Sequence, residues 1–213
     1  MRIEAYFDYK WANDRNQFLH LEHEQAIMDQ LPNHVQDRIL NKFMYGKFLK
    51  KFENIFQIEM DKSTSNHSCY TWDNYNYRSF MIALLHGLQP RKYDKGELIY
   101  TQLEEINEVI FVERGNIDVG FEVSYKKKFV VRLFDHSVIG AYNCANHSKT
   151  LYIYKNQSEN FQGWSIKKAT WIDLMTNYED ISKKVLKQFE DFFQAKIQVP
   201  VEQEKMRFIS RLH

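Results

Sequence analysis

The chain has 213 residues, enough for one large domain or two small ones. Hydrophobic residues make up 44 % of it and the charges nearly cancel at net +1, so a packed core is expected and nucleic acid is not an expected partner. Only three prolines and seven glycines occur, which excludes a linker-rich or repetitive protein. No apolar run approaches the roughly 20 residues that span a bilayer. The opening residues, Met1 to Lys10, mix polar and aromatic side chains and do not read as a signal peptide. Cys69 and Cys144 are widely separated, as expected for reduced cytosolic thiols rather than a disulfide framework.

Ile3, Phe7 and Trp11 recur every four residues and predict a helix with these three on one face. A second helix is expected from about Leu21 to Leu31, with Ala26, Ile27 and Leu31 as its apolar side and Pro32 as its stop. Asn33 is the predicted N-cap of a third, carrying Val35, Ile39, Leu40, Phe43 and Met44. A short segment, Phe48 to Phe56, follows. Residues 58–76 read as a loop insertion, with no apolar period across Asp61 to Ser68. A helix resumes near Tyr77, with Met81, Leu84, Leu85 and Leu88 facing a core.

From Gln89 the period changes to two. Asp94-Lys95-Gly96 is a turn, Val109 to Glu113 a strand, Gly115-Asn116 a tight turn and Ile117 to Val123 the return. Lys126-Lys127-Lys128 is the expected hairpin tip, its charge guarding the edge. Phe129 to Leu133, Leu151 to Tyr154 and Trp164 to Ile166 are further strands. Short, evenly spaced strands suggest a small barrel or jelly roll. Helices close the chain, at Ala169 to Thr176 and along the stripe Ile181, Val185, Phe189, Phe192, Phe193 and Ile197, ended or kinked by Pro200.

Several motifs in this order carry a resemblance. They are Tyr6-Phe7-Asp8-Tyr9-Lys10-Trp11, Ile27 to Pro32 with Val35 to Ile39, Tyr93 to Ile99, Val109 to Gly115, and Ile139-Gly140-Ala141. Together they resemble the C-linker and cyclic-nucleotide-binding domain of hyperpolarisation-activated, cyclic-nucleotide-gated and ether-à-go-go-type channels. The resemblance covers nearly the whole chain. It implies an α+β fold: a helical C-linker, then an eight-stranded antiparallel β-roll (jelly roll) flanked by helices. It divides the chain into partial C-linker helices (1–57), the insertion (58–76) and the roll with its C-terminal helices (77–213). The family's first C-linker helix is missing or short here, so the chain is expected to be a fragment with a membrane domain upstream.

In the resembling family a glycine turn and a short helix face the cyclic phosphate, an arginine grips it, and a glutamate after the glycine accepts from the ribose. Gly140 keeps the turn, but Ala141 stands where the glutamate would be, and Lys149-Thr150 is the best match to the arginine-threonine pair. Lysine keeps the charge and loses the two-pronged geometry. Each lost charged hydrogen bond costs about 1.5–3 kcal/mol, so two departures weaken binding by about two decades or more. The candidate pocket is therefore Gly140, Ala141, Tyr142, Lys149, Thr150, Phe193 and Lys196, with Phe192 and Ile197 also where the family contacts the purine. For Lys149 a solvated loop lysine is an equal reading, and for the Phe192–Ile197 stripe packing against the roll is the stronger one. Val199 to Phe208 is a candidate for a segment of the chain's own C-terminus filling the pocket, as in the ether-à-go-go-type subfamily.

Other chemistry is not signalled. His20 and His23 lack the further ligands that zinc needs, and no P-loop, GxSxG or HExxH motif occurs. Glu104-Glu105, Glu22 and Glu24 read as solvated faces. Tyr70, Trp72, Tyr75 and Tyr77 read as a packing anchor for the insertion rather than a base-stacking platform.

The expectation is a regulatory module, not an enzyme, with no cofactor. cAMP or cGMP is the implied ligand, bound weakly or not at all. Its implied partner is the membrane pore domain of the same chain, in a homotetrameric voltage-gated cation channel, most simply a potassium channel. The implied location is the cytoplasmic side of the membrane. Two alternatives stay open: a soluble cyclic-nucleotide receptor module, and a ligand-free protein-interaction domain.

Overall fold

The computed structural model describes residues 3–16, 22–58 and 69–211. Helices come first: α1 (Ile3–Asn13), α2 (Glu22–Gln30), α3 (Asn33–Arg38), α4 (Gly46–Lys51), α5 (Glu53–Phe56) and α6 (Tyr75–His86). A π-helical stretch, Ile39–Met44, runs on from α3. The strands are β1 (Gln89–Arg91), β2 (Leu98–Tyr100), β3 (Glu108–Arg114), β4 (Ile117–Val123), β5 (Lys126–Leu133) and β6 (Val138–Ile139), then β7 (Ile153–Asn156) and β8 (Gln162–Lys167) after the short helix α7 (Ala141–Ala145). The chain closes with α8 (Lys168–Asn177), α9 (Glu179–Phe193) and α10 (Val199–Ser210). The strands form two four-stranded antiparallel sheets, ordered β1-β8-β3-β6 and β2-β7-β4-β5. Among the described residues this is an α+β arrangement with eight strands, the number that the resemblance implied.

The core begins in the helices. Phe48 of α4, Phe52 at the junction and Phe56 of α5 are all buried. Phe48 and Phe52 meet Phe111 of β3 at ring separations of 5.4 and 5.3 Å. In α6 the expected Met81, Leu84 and Leu85 are buried, with Leu88 just beyond the helix. The helix begins two residues before Tyr77 because Asn74 caps it, its side-chain oxygen accepting the Tyr77 N–H at 3.0 Å. Tyr70 and Trp72 pack on Tyr77 (6.1 and 6.5 Å), whereas Tyr75 is exposed. The middle of the predicted insertion, residues 59–68, lies outside the described residues, as do Leu21 and His20.

Several expectations are corrected. Phe7, Trp11, Ile27 and Phe43 face outward, Trp11 being 67 % and Phe43 71 % exposed. Of the predicted α3 face only Leu40 is buried. Asn33 is the first residue of α3, not its cap; Pro32 holds the cap position and has no side-chain acceptor. The β4–β5 turn is Ser124-Tyr125, both at positive φ (51° and 63°), so Lys126 to Lys128 belong to β5 rather than to the tip. Leu151 is an exposed bend residue and β7 starts at Ile153.

Pro200 does not end the last helix. The backbone stays right-handed helical from α9 through a π-helical stretch, Gln194–Gln198, into α10, with Pro200 in the first turn of α10. Proline has no N–H to donate and its ring crowds the carbonyl four residues back. Widening the preceding turn to π spacing relieves both without breaking the helix.

Candidate functional site

The site is built where β6 ends. Gly140 follows with φ 84°, a left-handed conformation that bulkier residues resist. A Cβ there would lie 2.7 Å from the Glu108 carbonyl oxygen and 2.9 Å from Ile106 Cγ2, so glycine is required twice over. The turn starts α7, and the Gly140 carbonyl accepts the Cys144 N–H at 2.8 Å. The Cys144 thiol is pushed up to about 12, chiefly by burial, and is inert as a nucleophile.

Ala141 is 2 % exposed and belongs to the hydrophobic core. Tyr142, half-buried, lies flat on Phe193 of α9, with centroids 4.7 Å apart and planes within 8°. Tyr152 closes the cluster from the other side, 6.2 Å from Phe193. Its hydroxyl donates to Glu202 of α10 at 3.1 Å. Burial, then the Glu202 charge, raises the Tyr152 phenol above its ordinary range, so it stays a donor.

Thr150 is buried, and its polar groups are committed to the protein. Its N–H donates to the Glu104 carbonyl (3.0 Å) and its carbonyl accepts the Leu103 N–H (2.7 Å). Its hydroxyl accepts the Tyr152 N–H at 3.1 Å. The Asn143 side chain closes the same loop, donating to Ser148 Oγ (3.1 Å) and the Lys149 carbonyl (3.3 Å). Lys149 is exposed and bridges across to Glu105 in the backbone pairing. The Glu105 carboxyl is held below its ordinary value by the Lys168 hydrogen bond first, with Lys149 and His147 adding to it. Lys196 sits exposed on the π-helical stretch, while Ile197 beside it is buried.

The structure therefore brings together Gly140, Ala141, Tyr142, Thr150 and Phe193, and leaves Lys149 and Lys196 on the outside. The clustered side chains are uncharged. They can pack a flat ring and cannot neutralise a phosphate.

Above them α10 closes over β4 and β5. Val201 is fully buried, Phe208 meets Phe121 at 5.9 Å, and Lys128 lies over the Phe208 ring (5.4 Å) and pairs with Glu204 (3.4 Å). Tyr152 and Glu202 were not singled out from the sequence as site residues. The alternation Tyr152-Ile153-Tyr154 signalled a strand, but nothing local tied it to a helix fifty residues on. Among the described residues, one cavity of about 580 Å³ is lined by Leu49, Phe56, Tyr70 and Trp72, one of about 390 Å³ by Tyr9, Arg15, Glu113 and Trp164, and one of about 560 Å³ by Arg91, Tyr100, Glu108 and Lys168.

No family model matches the chain, and no curated protein matches it. Solved structures do. One is a protein from Ruegeria pomeroyi described as a cyclic nucleotide binding protein, 16 % identical at a TM-score of 0.47, covering 55 % of this chain and 52 % of that one. Another is the sensor domain of the transcriptional regulator DNR from Pseudomonas aeruginosa, 9 % identical at a TM-score of 0.47, covering 60 % of this chain and 89 % of that one. The chain thus spans about half the length of the first of these structures.

Proposed function

We propose that this chain is a regulatory module of the cyclic-nucleotide-binding type whose ligand position is filled by its own side chains. The observation that carries the reading is the Tyr142–Phe193–Tyr152 cluster beside the Gly140 turn, where the resemblance to cyclic-nucleotide-binding domains would put the purine and ribose. Ala141 in place of a ribose acceptor and Lys149 turned to solvent agree with it. The segment Val199 to Phe208 acts as the cover, through Val201, Glu202 and Phe208.

The wider setting we propose is the cytosolic C-linker and roll of a voltage-gated cation channel, of the potassium-selective kind. The ordered sequence motifs and the helices that precede the roll support it. The outward Phe7, Trp11, Ile27 and Phe43 suit helices that pack against neighbouring subunits in a tetrameric ring. The module would have no catalytic role. It would shift between two arrangements of the roll and pass the difference to the pore.

Calorimetric titration with cAMP and with cGMP tests the pocket. The expected result is no saturable heat for either ligand. Binding at micromolar or tighter affinity overturns the reading, because the cluster would have to be expelled to admit the ligand.

A further inference from the structure

The short segment from Glu105 to Glu108 is held from two sides. On the side of the Gly140 turn, Ile106 Cγ2 and the Glu108 carbonyl press against Gly140, leaving no room for a Cβ. The Cys144 thiol faces the Ile106 carbonyl at 3.6 Å, and the Lys168 N–H donates to the Asn107 carbonyl at 2.8 Å. On the other side, the Glu108 carboxylate takes Arg91 in a forked pair: Nε to Oε2 at 2.8 Å and Nη2 to Oε2 at 2.6 Å, with Nε also 3.1 Å from Oε1. Tyr93 donates to the same carboxylate at 3.2 Å, and Tyr100 to the Glu108 carbonyl at 2.9 Å. Arg91 in turn donates to the Tyr6 hydroxyl and lies 5.8 Å over the Tyr6 ring. Tyr6 is on α1. A second, weaker tie runs from the Tyr9 hydroxyl to the Arg91 carbonyl at 3.5 Å.

We infer that Glu108 and Arg91 form a relay between the Gly140 turn and α1. The backbone of Glu108 abuts the turn, and its side chain, through Arg91, holds the first helix. The Arg91 and Glu108 side chains are 15 % and 18 % exposed, so the link is shielded and its geometry is fixed. A displacement of the turn has to move the Glu108 peptide, because the two are already in contact. The forked pair then carries that movement to Tyr6, the part of the chain that would lead toward a pore. The relay uses the proposed regulatory reading for its purpose, but its existence depends only on these contacts.

The test is a cycle of variants of the full chain, read by amide hydrogen exchange. Gly140→Ala, which forces a Cβ against the Glu108 carbonyl, is expected to speed exchange across residues 3–13 about tenfold. Placed on top of Arg91→Ala, the same change is expected to add less than about twofold, since the link is already cut. Should Gly140→Ala fail to fold, Tyr6→Phe reads the relay in reverse: loss of one hydroxyl is expected to speed exchange across residues 141–145 severalfold, and not when Arg91 is already alanine. Unchanged exchange at the far end, or effects that simply multiply in the double variants, would overturn the relay. A positive nucleotide titration would overturn the filled pocket and leave this result standing.

Discussion

Asn16 illustrates how much one side chain can hold. It is buried, and its amide donates to the carbonyls of Leu85 (2.9 Å), His86 (2.9 Å) and Leu88 (3.1 Å). These carbonyls lie at and just past the end of α6, where Leu85 also accepts the Leu88 N–H at 3.2 Å. Its oxygen accepts the Tyr45 hydroxyl at 2.6 Å. Asn16→Ala leaves several buried groups unpaired and is expected to cost about 2–4 kcal/mol. Denaturant unfolding checks this, with exposed Lys149→Ala as the comparison, expected to stay within about 0.5 kcal/mol of the parent. Nothing in the sequence marked Asn16, because its nearest partner, Tyr45, lies 29 residues on and its carbonyl partners Leu85 and Leu88 lie 69 and 72 residues on. The Gly140 turn was legible because Ile139-Gly140-Ala141 matched a short motif of the resembling family, and the positive φ at Gly140 shows that the local backbone demands glycine.

At the scale of elements, the last helix makes the sharpest case. α10 is attached by apolar burial, Val201 and Phe208 against the sheet, and by pairs such as Lys128–Glu204 that are about one-third exposed. Exposed pairs contribute little after screening and side-chain ordering. Val201→Ala is therefore expected to lose about 2 kcal/mol of stability and to speed exchange across α10. Lys128→Ala is expected to leave the unfolding midpoint within error. The reverse order would mean that charge holds the helix.

The elements that could be read in advance are those whose pattern and burial agree, such as Met81-Leu84-Leu85-Leu88. Those misread needed context. Ser124-Tyr125 makes a positive-φ turn without the Asn or Gly that announces one. Pro200 looked like a stop because the π-helical stretch that accommodates it has no sequence signature. Phe7, Trp11 and Phe43 fit a helical period and still point outward, since periodicity does not say which side the core lies on.

For the whole molecule, buried phenols govern behaviour in alkali. Burial raises Tyr45, Tyr93, Tyr100, Tyr152 and Tyr154 above the ordinary 10.0, and Tyr77 to about 12. A group raised in the folded state supports folding fully below its unfolded value and loses that support as pH rises through the folded value. Stability is therefore expected to be level up to about pH 10 and to fall steeply above it. Phenolate absorbance from the buried rings should rise in a cooperative step that coincides with loss of circular dichroism, separate from the contribution of exposed rings such as Tyr75 and Tyr125. Ionisation of every ring with the fold intact would contradict this burial.

On the proposed reading the roll needs no ligand, because Tyr142, Tyr152 and Phe193 pack against one another beside the Gly140 turn. Amide resonances of Gly140, Tyr142 and Thr150, followed by heteronuclear NMR as cAMP or cGMP is raised to millimolar concentration, test it most directly. These resonances are expected to stay in place. Saturable shifts at all three, with the Phe193 ring signals moving away from those of Tyr142, would contradict it.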